Sequence, residues 1–155
     1  MKSSTIAKTF TIAAATALAL WIAPTANAQV AQRGCSNASL NGTYAYTGTG
    51  VIVSPAAFAG PFAEVGMQTF DGQGHTTATA TASQNGGILQ FTITGTYSVN
   101  PDCTGTLTLQ VAPEGITVPV FIVIDNGWNE FQAIETSPGV VITRIGHKLY
   151  PGSNV

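Results

Sequence analysis

The chain has 155 residues, of which 45% are hydrophobic and only 8% charged, with five Lys and Arg against seven Asp and Glu for a formal net charge of −2. So few cations cannot neutralise a run of phosphates, which excludes nucleic acid and anionic membrane surfaces as partners. A charged fraction far below the usual quarter leaves Thr, Ser, Asn and Gln to carry the polar surface.

The first element in chain order is an export leader. Lys2 and Lys8 form a positive n-region, Thr9 to Ala23 is an apolar run, and Pro24-Thr-Ala-Asn-Ala28 ends in the small-x-small pattern of a signal-peptidase site. Residues 1–28 therefore read as a signal peptide, and the mature protein as periplasmic or extracellular. The run is short for a helical membrane span and no other run is longer, so no span is expected. Without the leader, the bases are Arg33, Arg144 and Lys148 against all seven acids. An N-terminal arm, residues 29–39, leads into a β domain, residues 40–150. Cys35 in the arm and Cys103 most simply form one disulfide in an exported chain. Closing a loop of roughly 70 residues, it contributes on the order of 4 kcal/mol and pins the arm to the domain. Two free thiols or a metal pair are the competing readings, but no CxxC spacing or neighbouring His supports them. Asn37-Ala-Ser and Asn41-Gly-Thr match the glycosylation sequon.

From there on the chain shows almost no helical periodicity. β-branched and aromatic segments recur every dozen or so residues: 42–51, 62–70, 76–83, 88–99, 105–112, 117–124, 130–136 and 140–148. The links DGQG, QNGG, NPD, PEG, DNGW and SPG are turn-sized and contain Gly or Pro. Links this short join antiparallel neighbours. Eight such neighbours close most simply into an eight-stranded antiparallel up-and-down β-barrel, an all-β fold of lipocalin-like form, with a Greek-key sandwich as the alternative. The longest irregular stretch, residues 52–61, is the candidate for a flap across one barrel mouth.

Two segments bear on the interior. In residues 76–83 Thr alternates with Ala, and an alanine face turned inward would leave room for a ligand. Residues 118–124 (VPVFIVI) are apolar on both faces, so the outer face needs a cover, either the 52–61 segment or a second subunit in a homo-oligomer. Pro119 within that run cannot donate a ladder bond, which predicts a bulge or a local edge.

Chemistry concentrates in few residues. Glu64 shares a strand face with Phe62, Gly66, Gln68 and Phe70. Inside a barrel it would be a carboxylate in an apolar pocket, able to act as general acid or base or to stabilise positive charge. Arg144 is the one cation inside a strand segment; it would bind a ligand carboxylate or pair with Glu135 or Glu130 on the neighbouring strand. Phe62, Glu64, Gln68 and Arg144 are therefore the candidate ligand-binding residues, with Glu64 the candidate for catalysis. The loop DGQGH offers Asp71 and His75, too few ligands for a calcium or zinc site even with Asp102 or Asp125 added, so neither metal nor cofactor is expected. No Gly-x-Ser-x-Gly is present, and neither histidine has a Ser or Cys partner at short range.

The stretches LNGTYAY, EVGMQTFDGQG, GTYSVNPDCTGTLTL and FIVIDNGWNEFQAIET, spanning Leu40 to Arg144, resemble small exported bacterial proteins similar to the allene-oxide-cyclase-like β-barrels. The resemblance implies a barrel, an apolar interior and trimer formation, and an activity as a cofactor-independent cyclase or isomerase. It carries over no catalytic residue. The expected function is therefore binding of a small hydrophobic ligand in the barrel, with cyclase or isomerase chemistry as its extension. The other class is a structural or adhesive β-module with a filled core.

Overall fold

Period-two alternation between tight turns builds eight antiparallel strands in a computed structural model that describes residues 34–125 and 127–150. The signal peptide over residues 1–28 and residues 29–33 of the arm lie outside them. The strands are β1 (Asn41–Ile52), β2 (Gly60–Asp71), β3 (His75–Gln84), β4 (Gly87–Val99), β5 (Thr104–Ala112), β6 (Ile116–Ile124), β7 (Glu130–Glu135) and β8 (Val140–Lys148). Each pairs with the next, and β8 pairs with β1, so the sheet closes without a free edge. The meander expected from the link lengths is the one observed.

One end of the barrel is plugged. The arm lays Leu40 over it, fully buried among Tyr44, Phe70, Tyr97 and Phe131. Phe70 meets Tyr44, Tyr97 and Phe131 edge-on at centroid distances of 5.5, 5.2 and 5.8 Å, the arrangement that aromatic quadrupoles favour. The arm is fastened by the Cys35–Cys103 disulfide, as expected, with its Cα atoms 4.9 Å apart. The Tyr97 hydroxyl donates to the Leu40 carbonyl at 2.8 Å, and the Val99 amide donates to the Asn37 side chain at 2.8 Å. DGQG is the expected hairpin at this end: the Asp71 carboxylate accepts the amides of Gln73, Gly74 and His75 at 2.7 to 3.0 Å.

The opposite end is the mouth. Its inward-facing side chains Ile52, Leu89, Phe91 and Val140 are only half-buried around Phe62, Ala82 and Ile142. The irregular segment here is shorter than expected, because β1 runs on to Ile52 and β2 begins at Gly60. The intervening loop holds a single 3-10 turn, Ala56–Phe58, tied to the rim at both ends. Val53 and Ser54 donate to the Gly139 carbonyl, and Gln84 donates to the Phe58 carbonyl at 2.5 Å. Its side chains stay in solvent, so it edges the mouth and covers neither the mouth nor β6.

Phe121 and Val123 on the outer face of β6 are correspondingly exposed, with no cover among the described residues. Pro119 makes the expected local edge, without a bulge. Its carbonyl faces β7 and accepts from Thr136, its missing N–H would face the same way, and the β6–β7 ladder starts only at Val120.

Candidate functional site

The even-numbered residues of β2 point inward, which brings Phe62, Glu64, Gln68 and Phe70 into the barrel together. In β8 the inward phase falls on Ile142, Arg144 and Gly146. Following the register sideways, Ala133, Arg144, Gly48, Glu64, Ala82 and Leu89 form one row. Arg144 and Glu64 are thus separated by one strand and meet across the bare backbone of Gly48. The Arg144 Nε donates to Glu64 Oε1 at 2.5 Å, with both side chains buried. A Cβ on residue 48 would stand 2.6 Å from that oxygen and 3.2 Å from Arg144 Cγ, so the pair requires glycine here. The partner anticipated for Arg144 on β7 is corrected accordingly: Glu64 takes its Nε, and Glu130 instead meets the exposed His147 Nδ1 at 3.3 Å.

Tyr46, unremarked in the sequence, and Glu135 complete the polar group. The Tyr46 hydroxyl donates to Glu64 Oε2 at 3.5 Å, and its ring lies 5.8 Å from the Arg144 guanidinium carbon. Glu135 is inward in phase at the mouth. Burial holds its carboxyl above the usual range, and Arg144 works against that shift. Burial also raises Tyr46, with Glu64 adding to it, so the hydroxyl is a donor at any physiological pH. Burial opposes the charge on Arg144, but Glu64, Tyr46 and Glu135 together more than offset this, and its pKa lies above the ordinary value. Among the described residues the guanidinium makes no hydrogen bond beyond Nε, yet no fully buried side-chain nitrogen lacks a partner. The Arg144 side chain retains 9% exposure.

Gln68 does not belong to this group. It faces inward but lies deeper, where its amide donates to Thr76 Oγ1 at 3.1 Å. Phe62 packs with Ala82 and Ile142 at the mouth.

The alanine face of β3 does turn inward, as expected, but neighbouring rings take up much of the space it leaves. In the row Phe131, Gly146, Tyr46, Gly66, Ala80, Phe91, large residues alternate with small ones. A Cβ on Gly146 or Gly66 would run into the Phe131 or Tyr46 ring, the interdigitation that fills a narrow barrel. A shallow concavity of about 710 Å³ over Gly66 and a smaller one of about 210 Å³ beside Asp125 are lined mainly by outward-facing side chains and touch neither Glu64 nor Arg144. No cluster of three or more metal-ligating side chains occurs among the described residues.

No protein-family model and no curated protein matches the chain. Solved structures do. The redesigned β-barrel mFAP1 bound to DFHBI is 20% identical, over 72% of this chain and 97% of that one, with a TM-score of 0.54. The redesigned barrel b11L5F_LGL is 15% identical over 74% and 95%, and EF1p2_mFAP2b bound to DFHBI is 14% identical over 76% and 98%, both with a TM-score of 0.54. At these identities the likeness is one of fold alone, and it agrees with the β-barrel seen here.

Proposed function

We propose that the protein is an exported barrel that binds a small hydrophobic ligand at its open mouth, above the Glu64–Arg144 pair. The observation that carries this reading is the guanidinium itself. A buried ion pair contributes little net stability compared with apolar residues of the same volume, so this one is poorly explained by folding alone. Its Nη groups make no hydrogen bond to a described residue, an arrangement suited to an acceptor group on an otherwise apolar molecule. The binding of DFHBI by two structural neighbours supports small-molecule binding as something this architecture can host.

Cyclase or isomerase chemistry, the expectation drawn from the allene-oxide-cyclase-like barrels, extends the proposal. Glu64 would then stabilise developing positive charge next to the ligand. Native mass spectrometry of protein purified from its own host tests the binding reading, and a stoichiometric extra mass is the expected result. Absence of any bound mass, together with no saturable binding of anilinonaphthalene sulfonate, would refute it. Glu64→Gln separates carrier from enzyme: loss of turnover with binding retained marks chemistry.

A second reading, a structural or adhesive module, is favoured by two features: the filled alternation of rings and glycines, and the exposed Val65, Met67, Val123 and Ile145 on the outer wall. A ligand-free protein that self-associates through that wall would support it.

A further inference from the structure

Charge is segregated along the barrel axis. Asp71, Asp102, Asp125, Glu130 and Lys148 all lie in the turns and strand ends of the plugged end. On the outer wall between the ends, the described strands carry no charged side chain. At the mouth end, Glu114 is the one charged residue on the connecting loops, and Glu135 faces inward.

The mouth loops are instead apolar and exposed. Val53 and Phe58 on the β1–β2 loop are 65% and 47% exposed, Ile88 beside the β3–β4 turn 70%, and Ile116 beside the β5–β6 turn 48%. These four residues lie at the mouth end of the chain's strands and loops, with Val53 and Ile88 next in sequence to Ile52 and Leu89 of its half-buried lining.

We propose that this rim docks the open end of the barrel onto a neutral lipid surface, so that the mouth faces a source of apolar ligand. The inference rests on the mouth being the ligand site. Three observations single out lipid. Separate apolar side chains on one loop and two strand ends penetrate a fluid interface more readily than they match a fixed protein surface. The absence of cations among the described rim residues removes the need for anionic lipid. In the docked orientation four acids and one lysine stay in water, and among the described residues only Glu114 on its loop and Glu135 at the mouth approach the surface.

Flotation of the mature protein with phosphatidylcholine vesicles tests the proposal. Wild-type protein is expected to float with the vesicles. Phe58→Asp and Ile88→Asp, both at solvent-exposed positions that leave the core intact, are each expected to lower the bound fraction about tenfold. In an Ile88→Trp variant, the emission gained over wild type is expected to shift to the blue on adding vesicles, while Trp128 at the plugged end is not quenched by brominated lipid. No flotation of wild type, flotation unaffected by both Asp variants, or a concentration-dependent dimer in lipid-free buffer that Phe58→Asp abolishes would overturn the inference. Anilinonaphthalene sulfonate binding in lipid-free buffer keeps the two readings apart. Glu64→Met/Arg144→Met is expected to lose the dye and still float, and Phe58→Asp to keep the dye and not float. Flotation with no saturable dye binding in any form would overturn the ligand site itself and, with it, the reason for facing the mouth to lipid.

Discussion

Replacing Arg144 by Met isolates the question of what the buried pair is for. The guanidinium is the partner of Glu64 Oε1, and the substitution leaves that carboxylate buried with only the 3.5 Å bond from Tyr46. Removing one member of a buried pair costs about 3 to 5 kcal/mol, because the charge left behind is uncompensated. That is a large share of the roughly 5 to 15 kcal/mol available to a domain. Glu64→Met/Arg144→Met removes both charges and restores an apolar row between Ala133 and Leu89. It is expected to fall within about 1 kcal/mol of wild type, since replacing the whole pair is close to neutral. The single variant should also recover at low pH. Acid neutralises the uncompensated buried charge, so the stability of the single variant rises as pH falls. Urea denaturation of the three proteins at neutral and acidic pH reads all of this. A loss below about 1 kcal/mol for Arg144→Met at neutral pH, or a double variant as unstable as the single, would refute the reasoning.

Three further outcomes follow from the geometry. Gly48→Ala forces a Cβ to 2.6 Å from Glu64 Oε1 and should push the pair apart, costing about 1 to 3 kcal/mol by urea denaturation, as overpacking does. Glu135 is held above the usual carboxylate range by burial, so its contribution to stability is present below the unfolded pKa and is lost as pH rises through the native one. Glu135→Gln should flatten that part of the stability–pH curve, measured by urea denaturation across the acid range. Leu40→Ala empties the plug and should cost about 2 to 5 kcal/mol by urea denaturation, whereas Ala63→Ser at an exposed position should cost almost nothing in the same assay.

Much of the barrel is legible in the sequence because its turns are chemically explicit. Asp71-Gly-Gln-Gly74 and Asn85-Gly86 can hardly do anything but reverse a chain, and the short links leave antiparallel neighbours as the outcome. Which face of β2 turns inward is not legible, because Val65 and Met67 make the opposite face apolar as well, and only the closed barrel sets Phe62, Glu64, Gln68 and Phe70 inside. The partner of Arg144 is not legible, because Glu64 lies on a strand 80 residues away in the chain and only ring closure through β1 brings the two together. The signal that could have found it is Gly48 in the run Thr47-Gly-Thr-Gly50, a strand position without a side chain that marks close approach by a neighbour. Tyr46 was hidden by the same non-local geometry. The alanines of β3 show the opposite failure. Their direction is set by alternation along one strand, but whether they leave space depends on Tyr46 and Phe91 arriving from strands beside them.

The most direct measurement is methyl NMR of the mature protein titrated with an apolar ligand, such as the molecule recovered by native mass spectrometry or, failing that, anilinonaphthalene sulfonate. The expected result is saturable shifts at Ile52, Leu89, Val140 and Ile142 around the mouth, with Leu40, Leu107 and Ile124 unmoved near the plug. Shifts confined to Val65, Met67 and Ile145 on the outer wall, or no saturable shifts at all, would contradict binding above the Glu64–Arg144 pair.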